Sequence, residues 1–318
     1  MISPARIPAR IPATVVLLLT LTACSTPPGD SSPAQSGGAA TASGTSLSRA
    51  DFSHLHALVF DEQDRSLYAA THTGVWALPD PTTPPARDEA APQRIGSGMQ
   101  DTMGMTLAPD GDLLASGHPG PGEAPDLATP NLGLIRSTDG AQTWESVSLG
   151  GEVDFHALTA TSDSGAERIA GLDSASSTMF LSNDAGQTWD RGATIPAHDL
   201  AFLADDPDQI LATTPDGVQI SQDGARSFSK LADAPLLVFV DTQASGDIVG
   251  IDTNGLVWTA TPSATGWRSH GTAAGGAIEA MTTAPSPDAT TNLVVATEKR
   301  IMSSPDLGAT WVSLVEIS

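Results

Sequence analysis

Cysteine occurs once in the 318 residues, at Cys24, so the chain has no internal disulfide, no thiolate metal cage and no paired redox thiols. Tyrosine also occurs once, at Tyr68, and aromatic residues together make up only 4% of the sequence. Basic residues are scarce: 14 Lys and Arg stand against 37 Asp and Glu, a formal net charge of −23, and the only lysines are Lys230 and Lys299. Nucleic acid and anionic lipid headgroups both need a basic face, so neither is expected as a partner of the folded part. No apolar run reaches the ~18 residues that a membrane-spanning helix requires. One large domain can still bury enough surface to hold itself together without covalent staples.

The first segment runs from Arg6 and Arg10 through the apolar stretch Val15 to Ala23, and then to Cys24. Charge, apolar run and small residues in that order read as a secretory signal over residues 1–23. Its end, Leu21-Thr-Ala-Cys24, resembles the bacterial lipobox. That resemblance implies a lipidated Cys24 as first mature residue, holding the protein on the outer face of the bacterial cell membrane. Residues 24–51 contain little that is apolar beyond alanine and read as a flexible tether. A coil of that length spans on the order of 25 to 30 Å. Membrane contact through the lipid alone, and a monomer, are the expectations.

What the chain has instead is a repeat. Ser182-Asn-Asp-Ala-Gly-Gln-Thr-Trp189 recurs as Ser137 to Trp144, Ser221 to Phe228 and Ser304 to Trp311. Each copy keeps serine, an aspartate two residues on, and a closing aromatic: Asp139 with Trp144, Asp184 with Trp189, Asp223 with Phe228, Asp306 with Trp311. A short carboxylate that accepts backbone N–H groups, a glycine and a ring are the parts of a hairpin turn wedged between layers. The first serines stand 45, 39 and 83 residues apart, so a degenerate copy is expected between the last two, at Ala260 to Trp267. A period near 40 with one hairpin per unit indicates radial repetition. The expectation is an all-β, six-bladed β-propeller of four-stranded antiparallel blades over 52–318, with seven blades as the alternative. Innermost strands are placed near His54, Met103, Asp154, His198, Leu237 and Ile278. Two excursions, Pro79 to Pro85 and Gly117 to Pro130, exceed what hairpin closure needs and mark candidate binding loops.

The repeat resembles the Asp-box, or BNR repeat, of sialidase-like β-propellers. The chain is also similar to a group of bacterial extracytoplasmic Asp-box proteins often labelled glycosylhydrolase or exo-alpha-sialidase. The resemblance implies the fold, while function must come from a site. Sialidases of this kind use three arginines, a tyrosine nucleophile with a glutamate, and an aspartate acid/base. Here the one tyrosine falls inside a strand beside Ala69 and Ala70, and Arg-Ile-Pro occurs only at Arg6 to Pro8 and Arg10 to Pro12, within the signal. A different glycoside hydrolase would need two carboxylates, for which Asp101, Glu152 and Asp154 are the candidates.

Six of the seven histidines fall where inner strands begin or where the second and third strands of a blade connect, which is one end of the channel. His54 and His56 align with Met103 and Met105 and with Asp154 and His156, while His72 aligns with His118. Imidazole with thioether and carboxylate suits a copper-like ion rather than magnesium or calcium. Packing between blades and a small polar or glycan ligand remain alternative uses of the same residues, and an extracytoplasmic protein is a further possible partner.

Overall fold

The computed structural model describes residues 45–83, 91–121, 127–273, 275–286 and 291–318. The signal segment, Cys24 and most of the tether lie outside the described residues, as do parts of both excursions. Among the described residues the architecture is six antiparallel sheets, each formed by consecutive strands A to D, with one four-residue helix, Arg49–Phe52. This is a six-bladed β-propeller. The A strands are Leu55–Asp61, Asp101–Leu107, Phe155–Asp163, Asp199–Leu203, Leu237–Thr242 and Ile278–Pro285. Together they line a central channel of about 640 Å³. The fifth blade contains the degenerate copy, where Thr261 to Thr265 closes the hairpin and Ala264 and Trp267 pack against the fourth blade.

The core lies between blades because each strand alternates its side chains toward the two neighbouring sheets. Leu114, Leu134 and Ile169 meet Phe155 and Phe180 between the second and third blades, and Ile210 and Met179 do the same between the third and fourth. Each repeated turn is one hydrogen-bonded device. Ser182 Oγ donates to Asp184 and accepts from Gly186 N–H, while both Asp184 oxygens accept from Thr188. The same bonds recur at Ser137, Ser221 and Ser304. Hydrogen bonds from the following Thr or Ser hold Asp139, Asp184 and Asp223 below the usual carboxylate range, and Thr310 does this for Asp306 through its N–H and hydroxyl.

Each turn also clamps the blade before it. Ala193 N–H donates to Ala225 O, Gly271 N–H donates to Leu307 O, and Ser148 Oγ donates to Gly186 O. Backbone approaches so closely there that a Cβ on Gly271 would lie 2.0 Å from Gly308 carbonyl carbon. Trp189 Nε1–H reaches Ser148 Oγ at 2.9 Å and its ring sits 5.1 Å from that of Phe155. The first blade lacks the turn, and its proline-rich excursion takes over: Ser303 of the sixth blade donates to Pro81 O, while Arg65 and Thr82 bind Asp80.

The ring closes through residues assigned to the tether. Thr45–Leu47 pairs in parallel with Val312–Ile317, making a fifth strand on the last blade, and Ser48 caps the helix that leads into the first. The propeller therefore begins at 45 rather than 52. Three residues with one leucine pair through their backbone, which leaves no side-chain pattern to read.

Replacing Trp189 by alanine removes a half-buried ring and an inter-blade hydrogen bond. It is expected to cost roughly 3 kcal/mol of stability in denaturant melts. A loss below ~1 kcal/mol would mean that the ring does not hold the second and third blades together.

Candidate functional site

Five of the six A strands start with a β-bulge, in which one residue has no partner on strand B, the next strand of the same blade (Ser66–Thr71, Leu113–His118, Ala166–Asp173, Ile248–Asp252 and Thr291–Thr297 in these five). The register jumps between Leu55 and Ala57, Thr102 and Gly104, Phe155 and Ala157, Leu237 and Phe239, and Ile278 and Ala280. The extra residues are His56, Met103, His156, Val238 and Glu279. This corrects the sequence alignment of the second blade by two residues: Met103 matches His56 and His156, and Asp101 rather than Met103 matches His54 and Asp154. The bulge is common to all three blades and fixes the equivalence, whereas the ladders beyond it run on for different lengths, to Asp61, Leu107 and Asp163, so counting from the turn misplaces the residues at the mouth. At the end of strand B, His72, His118 and Ser174 occupy equivalent positions, each following the partner of the residue before the bulge.

One mouth of the channel thus collects donors from three blades. His72 Nδ1 lies 2.5 Å from Asp101 Oδ1, and His56 Nε2 lies 3.3 Å from His72 Nε2 and 3.9 Å from Asp101 Oδ1. One ligand atom from each of these three residues falls within 4.8 Å of the others. Beside them, His118 Nδ1 faces Asp101 Oδ2 at 3.9 Å and its Nε2 faces Asp154 Oδ2 at 3.7 Å. Asp154 Oδ2 accepts from His156 Nε2 at 2.8 Å and from Ser174 Oγ at 2.9 Å. Gly117 makes the approach possible: with φ at +144°, a Cβ there would lie 1.9 Å from Asp101 O.

Burial lowers the His56 pKa from 6.5 to about 4, with His72 adding to the effect, His156 and His54 contributing less, and Asp101 opposing it. His56 is therefore neutral at physiological pH, the form that can ligate a metal. Burial pushes the Asp154 carboxyl up, but the His156 hydrogen bond and charge, Ser174 and His118 outweigh it and hold the group below its ordinary value. Asp154 is 5% exposed, and its Oδ1 is buried with no hydrogen-bond partner among the described residues.

The remaining candidates fall outside the convergent set. His54 accepts from Arg49 and lies 3.4 Å from Glu279, which Arg49 also binds at 2.7 Å. Met103 and Met105 both border the channel, but Met105 is buried at 5% exposure and packs into the core between the first two blades. Glu152 is exposed on the connection into the third blade. Tyr68 is 6% exposed in the same core as Met105. His198 stacks edge-on against Phe239 at 4.9 Å, and His270 bonds Thr259 on an outer strand. Sequence reading missed Ser174, Glu279 and Arg49. The first two stand at positions equivalent to His72 and His56, so repeat alignment in the right register would have found them.

Lower in the channel, loss of water around Asp199 raises its carboxyl to about 7, although Val240 and Leu200 N–H groups donate to it; nearby Asp241 adds to the shift. Asp241 in turn accepts from Thr283 N–H and Oγ1. These two carboxylates tie the fourth, fifth and sixth blades together.

No protein-family model matches the chain, and no curated protein matches it in sequence. Solved structures do resemble it. A gluconolactonase from Xanthomonas campestris superposes with a TM-score of 0.55 at 15% identity, over 76% of this chain and 82% of its own. A GH74 xyloglucanase from the same organism gives 0.51 at 16% identity, over 83% of this chain and 45% of its own. An ancestral GH74 enzyme gives 0.50 at 11% identity, over 82% of this chain and 38% of its own. The chain spans less than half the length of these two GH74 enzymes, and at such identities the shared property is the β-propeller fold.

Proposed function

We propose that this protein is a binding propeller that holds a borderline divalent transition-metal ion, of the copper(II) or zinc(II) type, at the channel mouth through His56, His72 and Asp101. The observation that carries the reading is the convergence of two imidazoles and a carboxylate from two neighbouring blades within 4.8 Å. A tetrahedral site with bonds near 2.0 to 2.1 Å has ligands about 3.3 Å apart, the separation of the His56 and His72 Nε2 atoms; His72 Nδ1, 2.5 Å from Asp101 Oδ1, then turns its N–H to that carboxylate, which orients the ring. Nitrogen and carboxylate donors suit these ions, and with Met105 buried in the core the softer thioether set is reduced to Met103 at most. The N-terminal segment, with its charge, apolar run and Cys24, supports anchorage through lipid outside the cell, and the acidic surface suits a domain that attracts cations there.

Titration of the metal-free full chain with zinc(II) or copper(II), followed by calorimetry, is expected to give micromolar or tighter binding. Replacing His56 and His72 together by alanine should weaken it beyond the roughly 10- to 100-fold that loss of an outer partner costs. Equal affinity in the variant would refute the site.

Glycoside hydrolysis is the second reading, favoured by the presence of Asp101 and Asp154 on either side of His118 at one open mouth. Asp154, held below its ordinary pKa, suits the role of base or nucleophile rather than acid. Hydrolysis of xyloglucan or an aryl glycoside, insensitive to chelator and abolished by Asp154→Asn, would favour this reading over the metal one. Aryl sialosides are expected to remain intact, since Tyr68 is packed away from the channel mouth, and measurable turnover would contradict that assignment.

The state of His56 is accessible separately. Its folded pKa of about 4 lies below the ordinary 6.5, so the folded chain binds fewer protons between these values. Its contribution to stability is present above about pH 6.5 and is lost as pH falls through about 4. A His56→Gln variant should therefore lose less melting temperature over that window than the wild type. Parallel profiles would show that His56 is not desolvated.

A further inference from the structure

We infer that the metal centre and the seam that closes the ring are coupled: an ion on His56 and His72 tightens the docking of residues 45–52, and that docking tightens the ion. The inference rests on the reading of His56, His72 and Asp101 as a metal centre. It makes Arg49, which binds Glu279 and His54 rather than any of the three, a positioning residue for that centre. Residues 45–52 join the last blade to the first. Arg49 N–H donates to Ser318 O at 2.8 Å, and Ser318 N–H donates to Leu47 O at 2.9 Å. The Arg49 guanidinium spans both blades: Nη2 lies 2.7 Å from Glu279 Oε1 of the sixth and 3.2 Å from His54 Nδ1 at the entrance to the first, and Nη1 donates to Glu298 O at 3.1 Å.

Two separate contacts carry the seam to His72. The His72 ring meets His56 and His54 edge-on, with centroids 4.4 and 5.7 Å away, so the ring that Arg49 holds is packed against a ligand of the ion. The residue after that ligand, Thr73, donates its hydroxyl to Asp51 O of the helix Arg49–Phe52 at 2.8 Å. Phe52 of the same helix is fully buried and lies edge-on to Trp76 at 5.6 Å. The helix therefore rests on the turn that holds His72, and Arg49 fastens the helix to the sixth blade. With 37% of its side chain exposed, His72 depends on such neighbours to limit its motion. A ring already restrained gives up less freedom when an ion takes its nitrogen, and a bound ion in turn removes motion that would loosen the helix. The two effects are equal in free energy by linkage.

The test is hydrogen exchange read by mass spectrometry on the chelator-treated full chain, with and without zinc(II), together with the zinc(II) affinity of Arg49→Ala. Zinc is expected to slow exchange over residues 46–53, which hold no ligand, by about 5-fold or more, the lower end of typical couplings between sites. Arg49→Ala should lose that protection, keep the protection around His56 and Asp101, and bind zinc at least about 5-fold more weakly. Absence of zinc binding in the wild type removes the metal centre and the coupling with it. Binding that leaves residues 46–53 unchanged, or that is equally tight in folded Arg49→Ala, overturns the coupling and spares the centre. Should Arg49→Ala unfold, Arg49→Lys, which keeps the charge but has no fork to span Glu279 and His54, must show the same weaker binding.

Discussion

The clamp of each repeated turn on the preceding blade is the interaction on which the rest depends. A blade alone is a small twisted sheet with two apolar faces, and it becomes stable only when neighbours cover both. The turns supply the register of that covering through a few fixed contacts: Ala225 O on Ala193, Leu307 O on Gly271, and Trp189 on Ser148. Blades without the full motif substitute other means. The first uses Pro81 against Ser303, and the fifth uses Ala264 and Trp267 packed against the fourth. The added strand Thr45–Leu47 then joins the two ends of the ring through backbone bonds.

A ring fixed at one end by these turns is free to vary at the other. The bulges that open five of the A strands relax the ladder where the strands reach the mouth, and each presents one additional side chain there. His56, Met103 and His156 are brought round the axis in this way, while the aspartates before the bulges and the histidines after strand B complete the ring of donors. Gly117 lets strand B meet Asp101 at van der Waals contact, which sets His118 between two carboxylates. Charge and polarity follow from this crowding. His56 loses its affinity for protons, and Asp154 remains ionised in a place with little water.

The resemblance to a gluconolactonase and to GH74 enzymes lies in the scaffold, whose β-propeller form hosts many chemistries. The repeated turns and the mouth are independent in this chain. The clamps use Ser, Asp, Thr and Trp at one face, and the donors use His, Asp and Met at the other, with no residue shared between the two sets. Proteins of this form can therefore exchange one mouth for another without altering the clamps between blades.

The sequence by itself determined the architecture. A turn that satisfies its own backbone groups within eight residues leaves its signature in adjacent positions, so copies at Ser137, Ser182, Ser221 and Ser304 could be counted and the missing fifth inferred from spacing. The end of the channel that gathers histidines was also legible, because strand direction alternates along a blade. Only the tertiary structure decided which donors meet. Register beyond a bulge depends on backbone pairing, so Asp101 rather than Met103 became the counterpart of Asp154, and Met105 turned into the core. Closure by Thr45–Leu47 and the partners Ser174, Glu279 and Arg49 were likewise decided there, since each contact joins residues from separate strands or blades whose approach is set by packing rather than by any local pattern.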